Sequence, residues 1–230
     1  MRKTLIPSLT CVLVLLLAAT AQAGVILDPA GDFLPTFTPL APRGGDLDVL
    51  SAQVLLSGNN LLFTATFNAP INTTPQAFYV FGVDRGRGAT TSNFASLGLP
   101  NIIFDAVVVV QPAGTGVVND LTGMNPPAPL PAGNVTSSGS TIQALVPLSS
   151  LPSRGFSLSQ YGWNLWPRWG GIPMSNAQIS DFAPNDRDAL VDVPEPSTSL
   201  LLSMGLIGLL TAARKKIWTE RQRGSVARRS

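Results

Sequence analysis

The chain has 230 residues, with 15 Lys and Arg against 13 Asp and Glu, no His and one Cys. Those counts exclude zinc or copper centres built on His and Cys, and any nucleophilic triad that needs a His base. The net charge of +2 sits in the two ends: residues 24–193 hold six Arg, 11 Asp, no Lys and no Glu, a net −5, which excludes the clustered cations of a nucleic-acid binder.

Arg2 and Lys3 precede an unbroken apolar run from Cys11 to Ala19 and the small-residue triplet Ala21-Gln22-Ala23. This is the layout of a secretory signal, expected as a helix within residues 1–23 and cleaved after Ala23. Cys11 lies too far before that site for lipoprotein processing. The segment that remains, about 170 residues, is long enough for one domain with a sizeable core. It contains no cysteine, so its stability must come from packing rather than disulfides.

Val25 to Pro42 reads as a short strand followed by a Pro- and Gly-rich loop that begins Asp28-Pro29-Ala30-Gly31-Asp32. Leu47–Leu56 and Leu61–Phe67 both alternate with period two around the turn Ser57-Gly58-Asn59-Asn60. Two alternating runs about a Gly/Asn turn predict a β-hairpin. In the first run Leu50, Ala52, Val54 and Leu56 share a face; in the second Leu61, Phe63, Ala65 and Phe67 do. Ala77–Asp84 is a third strand, ending in the loop Arg85-Gly86-Arg87-Gly88, and Asn101–Val110 a fourth, with a Val-rich run that suits burial on both faces. Asp105 lies inside it: a buried Asp needs a partner, which Arg85 or Arg87 can supply, and the alternative is a place at a strand edge facing solvent. Val135–Ser138 and Thr141–Pro147 form a second hairpin about Ser138-Gly139-Ser140. One helical turn is expected within Leu148–Arg154. Phe156–Trp166 and Ala177–Phe182 close the sheet. No amphipathic helix interrupts these strands. The expected fold is all-β, a single antiparallel, jelly-roll-like β-sandwich over residues 24–192, flanked by the signal helix and a short C-terminal hydrophobic helix.

The C-terminus has its own grammar. Val193-Pro194-Glu195-Pro196-Ser197 is followed by a largely apolar run, Leu200 to Ala213, and then by Arg214-Lys215-Lys216. As a helix the run reaches roughly 21 Å, short of the ~30 Å of a bilayer core, so it reads as a short anchor. The basic flank stays on the cytoplasmic side, leaving residues 217–230 as a basic cytoplasmic tail. Signature, apolar run and basic stop resemble the PEP-CTERM sorting signal of bacterial envelope proteins over residues 193–216. That resemblance implies an exosortase-type membrane transpeptidase as partner. It implies a membrane-tethered precursor and delivery to the cell surface or the exopolysaccharide matrix.

The remaining chemistry is sparse. Gly86-x-Gly88 lacks the third glycine and the following helix of a phosphate loop. Calcium takes oxygen ligands, and Asp28, Asp32, Asp46 and Asp48 are the densest carboxylates near the start of the fold. In an extended segment Asp46 and Asp48 point the same way, so the four form a candidate calcium site; the alternative is ordinary turn chemistry. Tyr161–Trp169 holds three of the four tryptophans. Trp163 and Trp166 alternate to opposite faces, so Trp163, Trp166 and Trp169 are candidates for stacking against sugar, beside Asn164 and Arg168; core burial is the alternative. The order Asp-x-x-Gly-Asp, hairpin, strand ending in Val83-Asp84 is similar to sugar-binding sandwiches of the DOMON and family-9 carbohydrate-module type. The leading expectation is an exported, non-enzymatic envelope or matrix protein. A carbohydrate-binding module, or a glycosidase using two aspartates, are the alternatives.

Overall fold

The computed structural model describes residues 24–87 and 94–194. The expected signal helix, the C-terminal hydrophobic helix, Glu195 to Ser197 and Arg214 to Lys216 lie outside these residues. Among the described residues no helix is long and apolar enough to cross a membrane.

The domain is an antiparallel β-sandwich. One sheet contains β1 (Ile26–Leu27), β2 (Val49–Ser57), β3 (Asn60–Phe67), β9 (Thr141–Pro147) and β8 (Val135–Ser138), in the order β1-β2-β3-β9-β8. The other contains β4 (Ala77–Asp84), β5 (Ala106–Gln111), β6 (Thr115–Asp120), β7 (Ala128–Pro129), β10 (Gly162–Trp169) and β11 (Ala189–Leu190), in the order β11-β10-β4-β5-β6-β7. The predicted β2–β3 hairpin forms, with Ser57 paired to Asn60 and Gly58 at φ 58°, a conformation that costs glycine little. Leu61, Phe63, Ala65 and Phe67 are buried between the sheets, as their alternation requires. On β2 the register shifts between Val49 and Ser51. This bulge reverses the side-chain parity, so that Val49 joins Ala52 and Val54 in the core, while Leu50 falls outside the expected set.

The inter-sheet core is closed by aromatic pairs. Phe63 and Phe81 meet edge to face at 5.1 Å, and Phe67 lies 4.5 Å from Tyr79. A second apolar layer covers the outer face of the six-stranded sheet, where Val80, Val107 and Trp166 are roofed by Phe94, Ile102, Ile179 and Phe182. Both faces of β4, β5 and β10 are therefore dry.

That roof explains where the strand expectations fail. Asn101–Asp105 is not strand but part of the cover. Asp186 accepts from the Asn101 backbone N–H at 3.0 Å and from its amide at 2.9 Å, and Asp188 accepts from the Ile103 N–H at 3.1 Å. β5 begins only at Ala106. Ala177–Phe182 likewise lies across the sheet, touching it through single bridges at Arg168–Ile179 and Leu165–Ala183. Phe156–Tyr161 is a loop with a short turn, in which the Gln160 side chain accepts from the Ser157 N–H at 2.9 Å. β6 follows a turn at Gly114, φ 86°, and was not anticipated. The helical turn at Leu148–Ser150 is present.

Candidate functional site

The turn after β1 brings Asp28 and Asp32 together. Its glycine, Gly31, takes φ 82° and directs its N–H at Asp48, which accepts it at 2.9 and 3.0 Å through its two oxygens. Asp48 also accepts from the Asn68 amide at 2.9 Å. Asp181 reaches the same place from the roof over the other sheet. Its Oδ2 accepts the Val49 N–H at 2.9 Å and its Oδ1 the Phe182 N–H at 2.7 Å, and the residue is 1% exposed. Asp28, Asp32 and Asp181 each present a carboxylate oxygen within 4.8 Å of the other two. Asp28 Oδ2 and Asp32 Oδ1 are buried with no hydrogen-bond partner.

The electrostatics follow from that crowding. Burial, then the charges of Asp32 and Asp48, push the Asp28 carboxyl up to about 7. Burial raises Asp181 to about 8, with Asp28 and Asp32 adding to the shift against the Val49 hydrogen bond. Asp28 and Asp181 are desolvated carboxylates crowded together, an arrangement unfavourable unless they are protonated or neutralised. Two oxygens that each lie about 2.4 Å from one calcium ion are up to about 4.8 Å apart, so the spacing fits.

Two of the four carboxylates expected there play other parts. Gly45–Leu47 is a 3-10 turn rather than strand, so the parity argument for Asp46 and Asp48 does not apply. Asp46 turns away to accept the Thr74 N–H at 2.8 Å and the Thr74 hydroxyl. Asp48 clasps the turn and its neighbours rather than standing in the cluster. Asp181 was missed because nothing local links it to the N-terminal turn. The available signal was an aspartate set in the otherwise weakly polar stretch Ala177–Phe182.

The aromatic stretch offers no flat platform to solvent. Trp163 is 0% and Trp166 2% exposed; they do face opposite sides, but each side is covered. The Trp163 indole N–H donates to Leu190 O at 3.1 Å. Trp166 packs edge to face on Phe94 at 5.0 Å and occupies the space left by Gly82, where a Cβ would sit 2.6 Å from its ring. Trp169 is half-buried, donating to Pro75 O at 3.1 Å. Asn164 is buried too, bonding Pro184 O and Arg187 O at 2.6 and 2.8 Å. Of the two readings for this stretch, core burial holds for Trp163 and Trp166, which leaves neither ring available to stack on sugar.

Asp105 is buried and paired, and of the two candidate cations it is Arg85 that meets it. Arg85 Nε lies 2.6 Å from its Oδ1, with side chains 0% and 1% exposed. Arg85 Nη2 is 3.3 Å from Asp120 Oδ1, and Arg154 Nε 3.0 Å from Asp105 Oδ2. A further pair, Asp84 and Asp188, flanks Gly162; burial raises Asp188 to about 7, opposed by the Ile103 N–H and reinforced by Asp84.

At the end of the domain, Asp192 is tied to β2: its N–H donates to Val54 O at 2.9 Å and its carbonyl accepts from Leu56 at 2.8 Å. Val193 packs on the core, and the signature continues through Pro194. The all-β domain thus ends where this signature begins. A family model described as the PEP-CTERM protein-sorting motif matches residues 192–216. The chain thus carries the motif that marks an exported protein for exosortase recognition and membrane processing. No curated protein matches the chain.

Proposed function

We propose that the protein is a non-enzymatic structural or binding component of the cell surface or exopolysaccharide matrix, held at the inner membrane until its tail is processed. The observation that carries this reading is the sorting motif at residues 192–216. The non-enzymatic part rests on composition: residues 24–193 contain no His, Cys, Lys or Glu, leaving aspartates as the main candidates for acid–base work. Replacing Pro194, Glu195 and Pro196 together by alanine should block processing and leave a larger, membrane-bound form on an immunoblot of fractionated cells. Trimming of that variant at the normal rate would sink the sorting reading in favour of a plain tail anchor.

We propose further that the domain holds a calcium ion at Asp28, Asp32 and Asp181. The supporting observation is the pair of buried carboxylate oxygens without partners, Asp28 Oδ2 and Asp32 Oδ1, beside a third carboxylate. An all-oxygen donor set suits a hard cation. The ion would join the first turn of the chain to the roof over the opposite sheet. It would lend an exported domain without disulfides a cross-link of another kind.

A further inference from the structure

The domain carries a second charged centre, this one lined by arginines. A cleft of about 430 Å³ is lined by Arg85, Arg87, Asp120, Asn125, Ser153 and Arg154, with Met124 on one wall. Its volume lies within the range of small-molecule sites. Three of the six arginines of residues 24–193 meet here, although the segment as a whole is acidic. Backbone pairing builds the cleft: Arg154 N–H donates to Arg85 O at 3.0 Å and Arg87 N–H to Arg154 O at 3.0 Å. The two loops are thereby held side by side.

Two of the three cations are committed internally. Arg85 is fully buried between Asp105 and Asp120. Arg154 contacts Asp105, donates to Arg87 O at 2.7 Å, and donates to Thr122 Oγ1 at 2.9 Å. Asp120 stays ionised: although burial works against it, hydrogen bonds from Thr122 and Asn125 and the charge of Arg85 hold its carboxyl at about 2. Arg87 is different. It is exposed, its stem lies along Gly155, whose Cβ would stand 3.7 Å from its Cγ, and no carboxylate among the described residues pairs with it. Asp105 and Asp120 pair with the other two guanidinium groups, and Asp84 lies close enough to act on Arg85; the cleft thus presents one cation without a paired carboxylate, on an exposed side chain.

We infer that this cleft binds an acidic polysaccharide through a sugar carboxylate, with Arg87 as the anchoring cation. A guanidinium fork matches a carboxylate in two parallel hydrogen bonds. Met124, 73% exposed, offers an apolar wall for the face of a sugar ring. The inference rests on the reading above for one point, that the domain meets polysaccharide once exported.

The test uses the full chain purified in detergent, with polygalacturonate as the acidic probe and dextran as the neutral one. The wild type should retain polygalacturonate, lose it as salt rises, and ignore dextran. Arg87→Ala should weaken retention about tenfold, the loss expected for one charge-assisted contact. Arg87→Lys, which keeps the charge and loses the fork, should fall between. The thermal midpoint of Arg87→Ala should match the wild type, because the side chain is exposed; if it does not, Arg87→Gln replaces it in the comparison. Absence of polygalacturonate binding by the wild type overturns the inference. So does equal binding of dextran, or retention unchanged in the Arg87 variants. A failure of processing in cells leaves these results untouched and counts against the sorting reading alone.

Discussion

The Oδ2 atom of Asp181 accepts the backbone N–H of Val49 at 2.9 Å, joining positions 132 residues apart in the chain. This bond ties the start of β2 to the roof over the opposite sheet, and sets Asp181 beside Asp28 and Asp32. The bulge at Leu50 sits immediately after the bonded residue.

A pH-dependent cation response follows. Without a cation, Asp28 and Asp181 keep their protons up to about 7 and about 8 in the folded state, against 3.8 for an ordinary aspartate. Between these limits the folded chain binds more protons than the unfolded one, so stability falls as pH rises through the window. With chelator, the melting midpoint should drop from about pH 5 to about pH 8. Calcium competes with protons, so its stabilising effect should grow over the same range, reaching about 2.7 kcal/mol at a hundredfold excess over its Kd. Asp32→Asn should raise the midpoint in chelator at the alkaline end and blunt the calcium response. A midpoint indifferent to calcium at that end would remove the ion from the account.

Burial of the tryptophans sets the cost of losing them. Trp163→Ala and Trp166→Ala should each destabilise the domain by about 3–5 kcal/mol, against a whole margin of about 5–15 kcal/mol. Trp169→Ala should cost less, because that ring is half-buried at the edge of its cluster. Gly82→Ala, which drives a methyl into the Trp166 ring, should cost about 1–3 kcal/mol. Denaturant unfolding measures all four, and a mild Trp166→Ala would contradict the roofed outer face.

The buried ion pair gives an inverted expectation for a double mutant. Arg85→Met alone strands the Asp105 charge and should cost about 3–5 kcal/mol, the low end being set by the nearby Arg154. Arg85→Met with Asp105→Leu removes this pair but leaves Asp120 and Arg154 without these partners, so it should recover only part of that loss. Urea titration of the two variants decides it: a double mutant weaker than the single would show that the contacts with Arg154 and Asp120 outweigh the stranded Asp105 charge.

Truncation after Ser199 removes the apolar run and the basic stop while keeping the signature. The shortened chain should leave the membrane fraction and appear in the medium or periplasm. Its persistence in washed membranes would mean that another segment anchors the protein.

The parts of this architecture readable from sequence are local ones. The β2–β3 hairpin, β4, the β8–β9 hairpin and the turn at Leu148 follow from period-two alternation and from Gly and Asn in turns, which act over a few neighbouring residues. The sorting signal was readable for a similar reason: its signature, apolar run and basic stop are contiguous. Even Asp105 could be flagged as needing a cation, because a lone carboxylate in a Val-rich run has few alternatives.

What the sequence alone settled, then, is the all-β class and the C-terminal address, both encoded by residues adjacent in the chain. Only the tertiary structure decided which carboxylates meet and which tryptophans see water. Asp181 reaches Asp28 and Asp32 across the sandwich, while Asp46, close to them in sequence, is turned toward Thr74 by a 3-10 turn. Trp166 points away from the inter-sheet core, as alternation requires, yet is dry because Phe94, Ile102 and Phe182 fold over it. Alternation dictates the face a side chain takes; what covers that face depends on where distant loops find enough apolar surface to bury, a property of the whole packed chain.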